Sequence, residues 1–127
     1  MKFSFSALIA LLAMLASCQS DADVRSKPPL ASYSTTKGVD SAVACLGPSL
    51  GSSLSAVAPS NFRFVAQVIV PGKEYDLVPT SGTVNGHYVY TVNVQSSPNG
   101  SRIKLFQGQF MLSTLTNAVK GGIAACL

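Results

Sequence analysis

The sequence predicts an α+β domain: a four-stranded antiparallel meander with two helices packed on one face, in the order α-β-β-β-β-α. Two observations carry this. Residues 62–106 alternate apolar and polar side chains and are punctuated by Pro71-Gly72, Asn85-Gly86 and Pro98-Asn99-Gly100, the period of strands joined by tight turns. The segments on either side step their apolar residues by three and four, the period of helices.

Taken in order, Thr36 or Thr35 is positioned to cap a helix running to about Leu46, with Val39, Ala42, Val43 and Leu46 on one side. Gly47-Pro48 stops it, since proline removes a helical donor and clashes with the preceding turn. Residues 48–60, rich in Ser, Gly, Ala and Pro, read as a loop or a short helical turn. The first strand spans Phe62 to Val70, with Phe62, Phe64, Ala66, Val68 and Val70 on one face and Arg63 and Gln67 opposite. Tyr75 to Val78 is the second strand. Asn85-Gly86 is a hairpin signal leading into a third strand, in which Tyr88, Tyr90, Val92 and Val94 share a face. Ser101 to Phe106 is the fourth strand, with Ile103 and Leu105 inward. The last segment returns to helical period through Leu112, Leu115, Val119, Gly122 and Cys126. Gly121-Gly122 weakens that helix, by about 1 kcal/mol per glycine, or lets a second helix come close.

Upstream, Lys2 is followed by an uncharged apolar run from Phe3 to Ala16. That run is short of the ~20 residues that span a bilayer as a helix and has the length of a signal-peptide core. It ends in Leu15-Ala16-Ser17-Cys18, which resembles the lipobox of bacterial lipoproteins. The resemblance implies that residues 1–17 are a cleaved signal and that Cys18 becomes the lipid-bearing first residue. By the same resemblance, Gln19 after the cysteine implies lipid anchoring in the outer membrane, facing the periplasm. Residues 18–36 then form the lipidated N-terminus and a tether. They are polar, contain Pro28-Pro29 and show no apolar period, with a coil span on the order of 20–25 Å. The domain proper is 37–127.

With Cys18 acylated, Cys45 and Cys126 are an even pair in an exported chain, and the periplasm is oxidising. A disulfide between them closes a long loop, worth roughly 4–5 kcal/mol of chain entropy. Two cysteines and the single His87 do not make a four-ligand metal set, so no metal and no cofactor is expected. The chain carries nine Lys and Arg against five Asp and Glu. The basic residues are scattered singly, which argues against a nucleic-acid footprint.

One catalytic pattern needs weighing. Gly47-Pro48-Ser49-Leu50-Gly51 matches G-x-S-x-G, and Asp76 and His87 follow in the order of the α/β-hydrolases. That elbow needs a strand before the serine and a helix after it. Here a helix precedes the serine, so no catalytic residue is assigned. The remaining candidate is the sheet face turned away from the helices. Val65, Ile69, Val89 and Phe106 lie there among Arg63, Gln67, Arg102 and Lys104, a half-apolar, basic-rimmed surface suited either to a protein contact or to ordinary solvation. The expectation is a membrane-anchored, non-catalytic binding or structural accessory protein of the cell envelope with a protein partner. The alternatives are an inhibitor lipoprotein blocking a secreted hydrolase such as lysozyme and, last, a small serine hydrolase.

Overall fold

The computed structural model describes residues 21–81, 83–84 and 87–127; the expected signal sequence, Cys18 and the expected Asn85-Gly86 turn lie outside them. The order is α1 (Asp21–Ser26), β1 (Ala31–Thr35), α2 (Val39–Ser55), β2 (Phe64–Val70), β3 (Glu74–Pro79), β4 (Thr83–Val84), β5 (His87–Tyr88), β6 (Tyr90–Ser97), β7 (Gly100–Gln107) and α3 (Ser113–Ala124). The fold is α+β. Its main sheet has five antiparallel strands rather than four, in the order β1-β7-β6-β3-β2. The helices α2 and α3 pack together on one face, and α1 meets β7 and β3 from the other.

The extra strand comes from the expected tether. Ala31, Tyr33 and Thr35 point inward and pair with Leu105, Ile103 and Ser101 of β7, while Ser32 and Ser34 point out. One large apolar residue in five is too little to register as periodicity. The strand forms because its backbone finds β7, beginning with the Leu30 amide on the Leu105 carbonyl at 2.7 Å. At the far end of this pairing Gly100 adopts a φ of 143°, and a Cβ there would collide with the Thr35 carbonyl, so glycine is required.

Helix α2 begins one turn later than expected and runs much further. Gly38 is its N-cap and, having no side chain, makes no side-chain cap bond; the Thr35 hydroxyl, expected to cap, accepts from the Lys37 amide. Gly47-Pro48 does not end the helix. The amide that Pro48 lacks would have served the carbonyl of Ala44, and both residues are exposed, where water can take over. What drives the helix through the Ser/Gly run is a stripe four residues apart. Leu46, Leu50 and Leu54 continue the Val39-Ala42 face and are fully buried. Together the three burials are worth about 4.5–9 kcal/mol, enough to offset the roughly 5 kcal/mol that a proline and two glycines cost locally.

The strands follow the turns. Beta2 starts at Phe64 rather than Phe62, β3 covers Glu74–Pro79 and β7 covers Gly100–Gln107. The expected third strand is split near Val89. Tyr88 leaves with β5, which pairs only with β4, while β6 starts at Tyr90. Tyr90, Val92, Val94, Ile103, Leu105 and Leu77 form the floor of the core. Tyr90 is wholly buried, with its hydroxyl 2.8 Å from that of Thr116 in α3. Burial pushes its phenol above the ordinary value, and the Thr116 bond partly offsets this.

Helix α3 closes the core with Thr116, Val119, Gly122 and Ile123. Leu112, expected on its inner stripe, is instead the exposed residue at its N-cap. Gly122 takes the close-approach role. A Cβ there would lie 3.1 Å from the Ser53 hydroxyl, 3.2 Å from the Ser49 carbonyl and 3.3 Å from the Leu50 Cα. Past α3, Cys126 is bonded to Cys45 with Cα atoms 5.8 Å apart, inside the range a disulfide needs. Because α2 runs on past Pro48, Cys45 sits mid-helix. The staple therefore joins the end of α3 to the middle of α2, not two helix ends. Lys37 Nζ donates to the carbonyls of Cys126 (2.8 Å) and Leu127 (3.0 Å), placing a cation at the negative end of α3.

Replacing Cys45 or Cys126 by serine should lower unfolding free energy by about 2–5 kcal/mol. The double replacement should be no worse than either single one, since both remove one bond. Denaturant unfolding of the three variants checks this; a double variant whose loss equals the sum of the singles would contradict it.

Candidate functional site

The G-x-S-x-G run lies inside α2, not on a strand-to-helix elbow. The Ser49 hydroxyl donates to the Gly122 carbonyl at 2.7 Å, so it ties α2 to α3. Asp76 sits across the sheet on the α1 side. It is 3% exposed and paired with Arg25 of α1 at 2.7 Å. Its Oδ1 also accepts from Asn93 Nδ2 at 2.8 Å, and that amide donates to Glu74 Oε1 at 2.8 Å. Gln95 Nε2 adds a bond to the same Glu74 oxygen at 3.1 Å. These carboxylates are occupied with structural donors, and the Asp76 charge is compensated by a guanidinium. Among the described residues, no group of three or more His, Cys, Asp or Glu side chains could hold a metal ion. No described helix is long and apolar enough to cross a membrane.

The sheet face proposed from sequence as a contact surface is divided by the N-terminal segment. Val89 and Phe106 are 3% and 6% exposed, so neither offers a contact. Thr91 and Asn93 are buried with them. Val89 is not on that face at all, since it packs into the core beneath the helices; Phe106 is on β7, the strand that helix α1, with its own Val24 buried, meets. Arg102 stays exposed and Lys104 is half-buried, opposite Gln95 and Asn93 of β6. Arg63, Val65, Gln67 and Ile69 remain exposed together, on and beside β2. Gln67 Nε2 donates to the Tyr88 hydroxyl at 3.3 Å.

The open surface is therefore an edge rather than a face. Beta2 ends the sheet, and every residue from Val65 to Val70 is exposed on both sides. Val65, Val68, Ile69 and Val70 are 45%, 59%, 39% and 41% exposed. The strand holds no charged residue from Phe64 to Val70, whereas long exposed edges in soluble proteins usually carry a lysine, a proline or a cover. A slip in its ladder to β3 falls between Val68 and Val70. Between β2 and α2 runs an open groove of about 540 Å³ lined by Pro48, Ser52, Asn61, Phe62, Phe64 and Val65. The sequence signal for this site was present in the uncharged apolar run. Only the strand order shows that the run lies at the margin of the sheet.

Arg25→Ala should destabilise the domain by about 1–3 kcal/mol, because it leaves the Asp76 carboxylate buried without its cation. Adding Asp76→Asn should restore part of that loss; equal, additive losses in denaturant unfolding would show the pair to be uncoupled. No family model matches this chain, and no curated protein or solved structure matches it.

Proposed function

We propose that this chain is a lipid-anchored, non-catalytic binding protein of the bacterial cell envelope, and that its working surface is the β2 edge with the adjoining groove. The observation that carries the binding role is the seven-residue, charge-free edge strand with its exposed valines and isoleucine. Unpaired strand edges bind by accepting another strand: main-chain hydrogen bonds supply affinity and neighbouring grooves supply selectivity. The engagement of the Ser49 hydroxyl by Gly122 supports a role without catalysis.

The anchor rests on Leu15-Ala16-Ser17-Cys18, and Gln19 favours the outer membrane with the domain in the periplasm. The Cys45–Cys126 bond is in keeping with an oxidising compartment. Helix α1 and strand β1 occupy residues that the sequence assigned to a tether. A lipid on Cys18 therefore joins a domain whose folded part includes Ala31–Thr35, which shortens the expected tether.

Cys18→Ser should abolish palmitate labelling and leave an uncleaved precursor; persistent labelling would remove the anchor from this reading. Val68→Lys places a charge on the edge at a position already 59% exposed, so unfolding free energy should change by no more than about 0.5 kcal/mol. The complexes formed by the parent protein in gently solubilised membranes should be lost. Unchanged complexes in this variant would overturn the edge as the working surface.

A further inference from the structure

We infer that the β2 edge takes a second copy of this chain, pairing antiparallel with its own β2 about a two-fold axis at Ala66; this rests on the binding role proposed above. The hydrogen-bonding directions come first. The Thr80 amide donates to the Arg63 carbonyl at 2.8 Å, so Arg63 turns its backbone groups towards β3. Alternation along the strand does the same for Val65 and Gln67. The backbone groups of Phe64, Ala66 and Val68 therefore point away from β3, those of Ala66 and Val68 along the open edge and the Phe64 carbonyl beside Gly47 of α2. A dyad at Ala66 sets Ala66 against its own copy and Phe64 against Val68 of the other copy. All three outward residues are then paired, and the slip between Val68 and Val70 falls outside the paired stretch.

Side chains and charge agree with that register. On the helix side, Val68 comes beside Phe64, which lines the groove next to α2, forming an aromatic–β-branched pair across the strands. No charge lies in the paired segment. The flanking Arg63 of each copy is about 20 Å from its equivalent, at 3.3 Å per residue, so the two are largely screened from each other. In this register each Arg63 lies opposite Ile69 of the other copy.

Membrane geometry supplies an independent constraint. Antiparallel pairing within one continuous sheet puts the dyad perpendicular to the sheet, so both copies turn the same face to the same side. Helix α1, the first described element, lies on the face opposite α2 and α3. Both lipids then sit on one side of the joined sheet, as anchoring in a single leaflet demands. Isologous contacts of this kind close after two copies, and confinement to a membrane raises the effective concentration that favours them.

The test uses the full lipidated chain in cell membranes under mild oxidation. A single Ala66→Cys should yield a disulfide-linked species of twice the chain mass, because paired Cα atoms lie about 5.5 Å apart. A single Val68→Cys should not, because its equivalents lie about 13 Å apart along the strands. In parallel, sedimentation of the detergent-solubilised parent should give two chains per particle, and Val68→Lys should give one. Linked species from both cysteine variants or from neither, or a single-chain parent particle, would overturn self-pairing. A disulfide adduct of the Ala66→Cys variant with a different protein, together with a single-chain parent, would overturn self-pairing while leaving the edge as a binding surface. A single-chain parent with no adduct of any kind would count against both.

Discussion

The depth to which α3 can sink against α2 governs the rest of the structure. A sheet of this size needs one face covered, and two helices side by side are just enough to cover it. The approach is set by Gly122, whose missing side chain lets α3 rest on the Ser49 carbonyl and the Leu50 Cα. That contact brings the Ser49 hydroxyl to the Gly122 carbonyl and Cys126 to Cys45. It also lowers Thr116 onto the buried hydroxyl of Tyr90. A bulkier residue at 122 would lift α3, separate the sulfurs and leave Tyr90 with an unsatisfied buried donor, a cost of the order of a whole hydrogen bond. Leu46, Leu50 and Leu54 are buried only because this layer is closed.

The N-terminal segment does for the opposite face what α2 and α3 do for the core side, with far fewer atoms. Strand β1 occupies the β7 edge, and α1 brings one apolar residue, Val24, and one cation, Arg25, to the outer face. Arg25 meets Asp76, whose carboxylate also organises Asn93 and, through it, Glu74. Burying that carboxylate is tolerable only with its cation in place. The two edges of the sheet differ: β1 is a five-residue strand whose outward side chains are Ser32 and Ser34, while β2 is longer and leaves apolar residues exposed on both faces. Such an edge is a natural place for another strand, and its lack of protective charge is what distinguishes it from an ordinary sheet margin.

Much of the sheet and core was legible in the sequence. Period-two alternation placed β2, β3 and β7 to within a few residues, and it puts Tyr90, Val92, Val94, Ile103 and Leu105 on the helix-facing side where they lie. The Gly/Pro turns separated the strands as expected, Pro71-Gly72 and Pro98-Asn99 among them. The four-residue spacing of Leu46, Leu50 and Leu54 was equally available. It was overridden by the proline and the glycines, whose cost is local and visible while the burial that outweighs it is not.

What the sequence determined by itself was therefore the set of side chains able to be buried, the turns between strands and the pair of cysteines that join. Those follow from local chemistry: side-chain polarity, backbone freedom at glycine and proline, and the capacity of two thiols to pair. Tertiary structure alone decided that Ala31–Thr35 is a strand, that α2 continues through Pro48, that Val89 and Phe106 are covered and that β2 stands at the edge. Each of these depends on an element far away in the chain — β7 for β1, the sheet and α3 for α2, α1 for the outer face — and long-range pairing leaves no periodic trace in the residues that accept it.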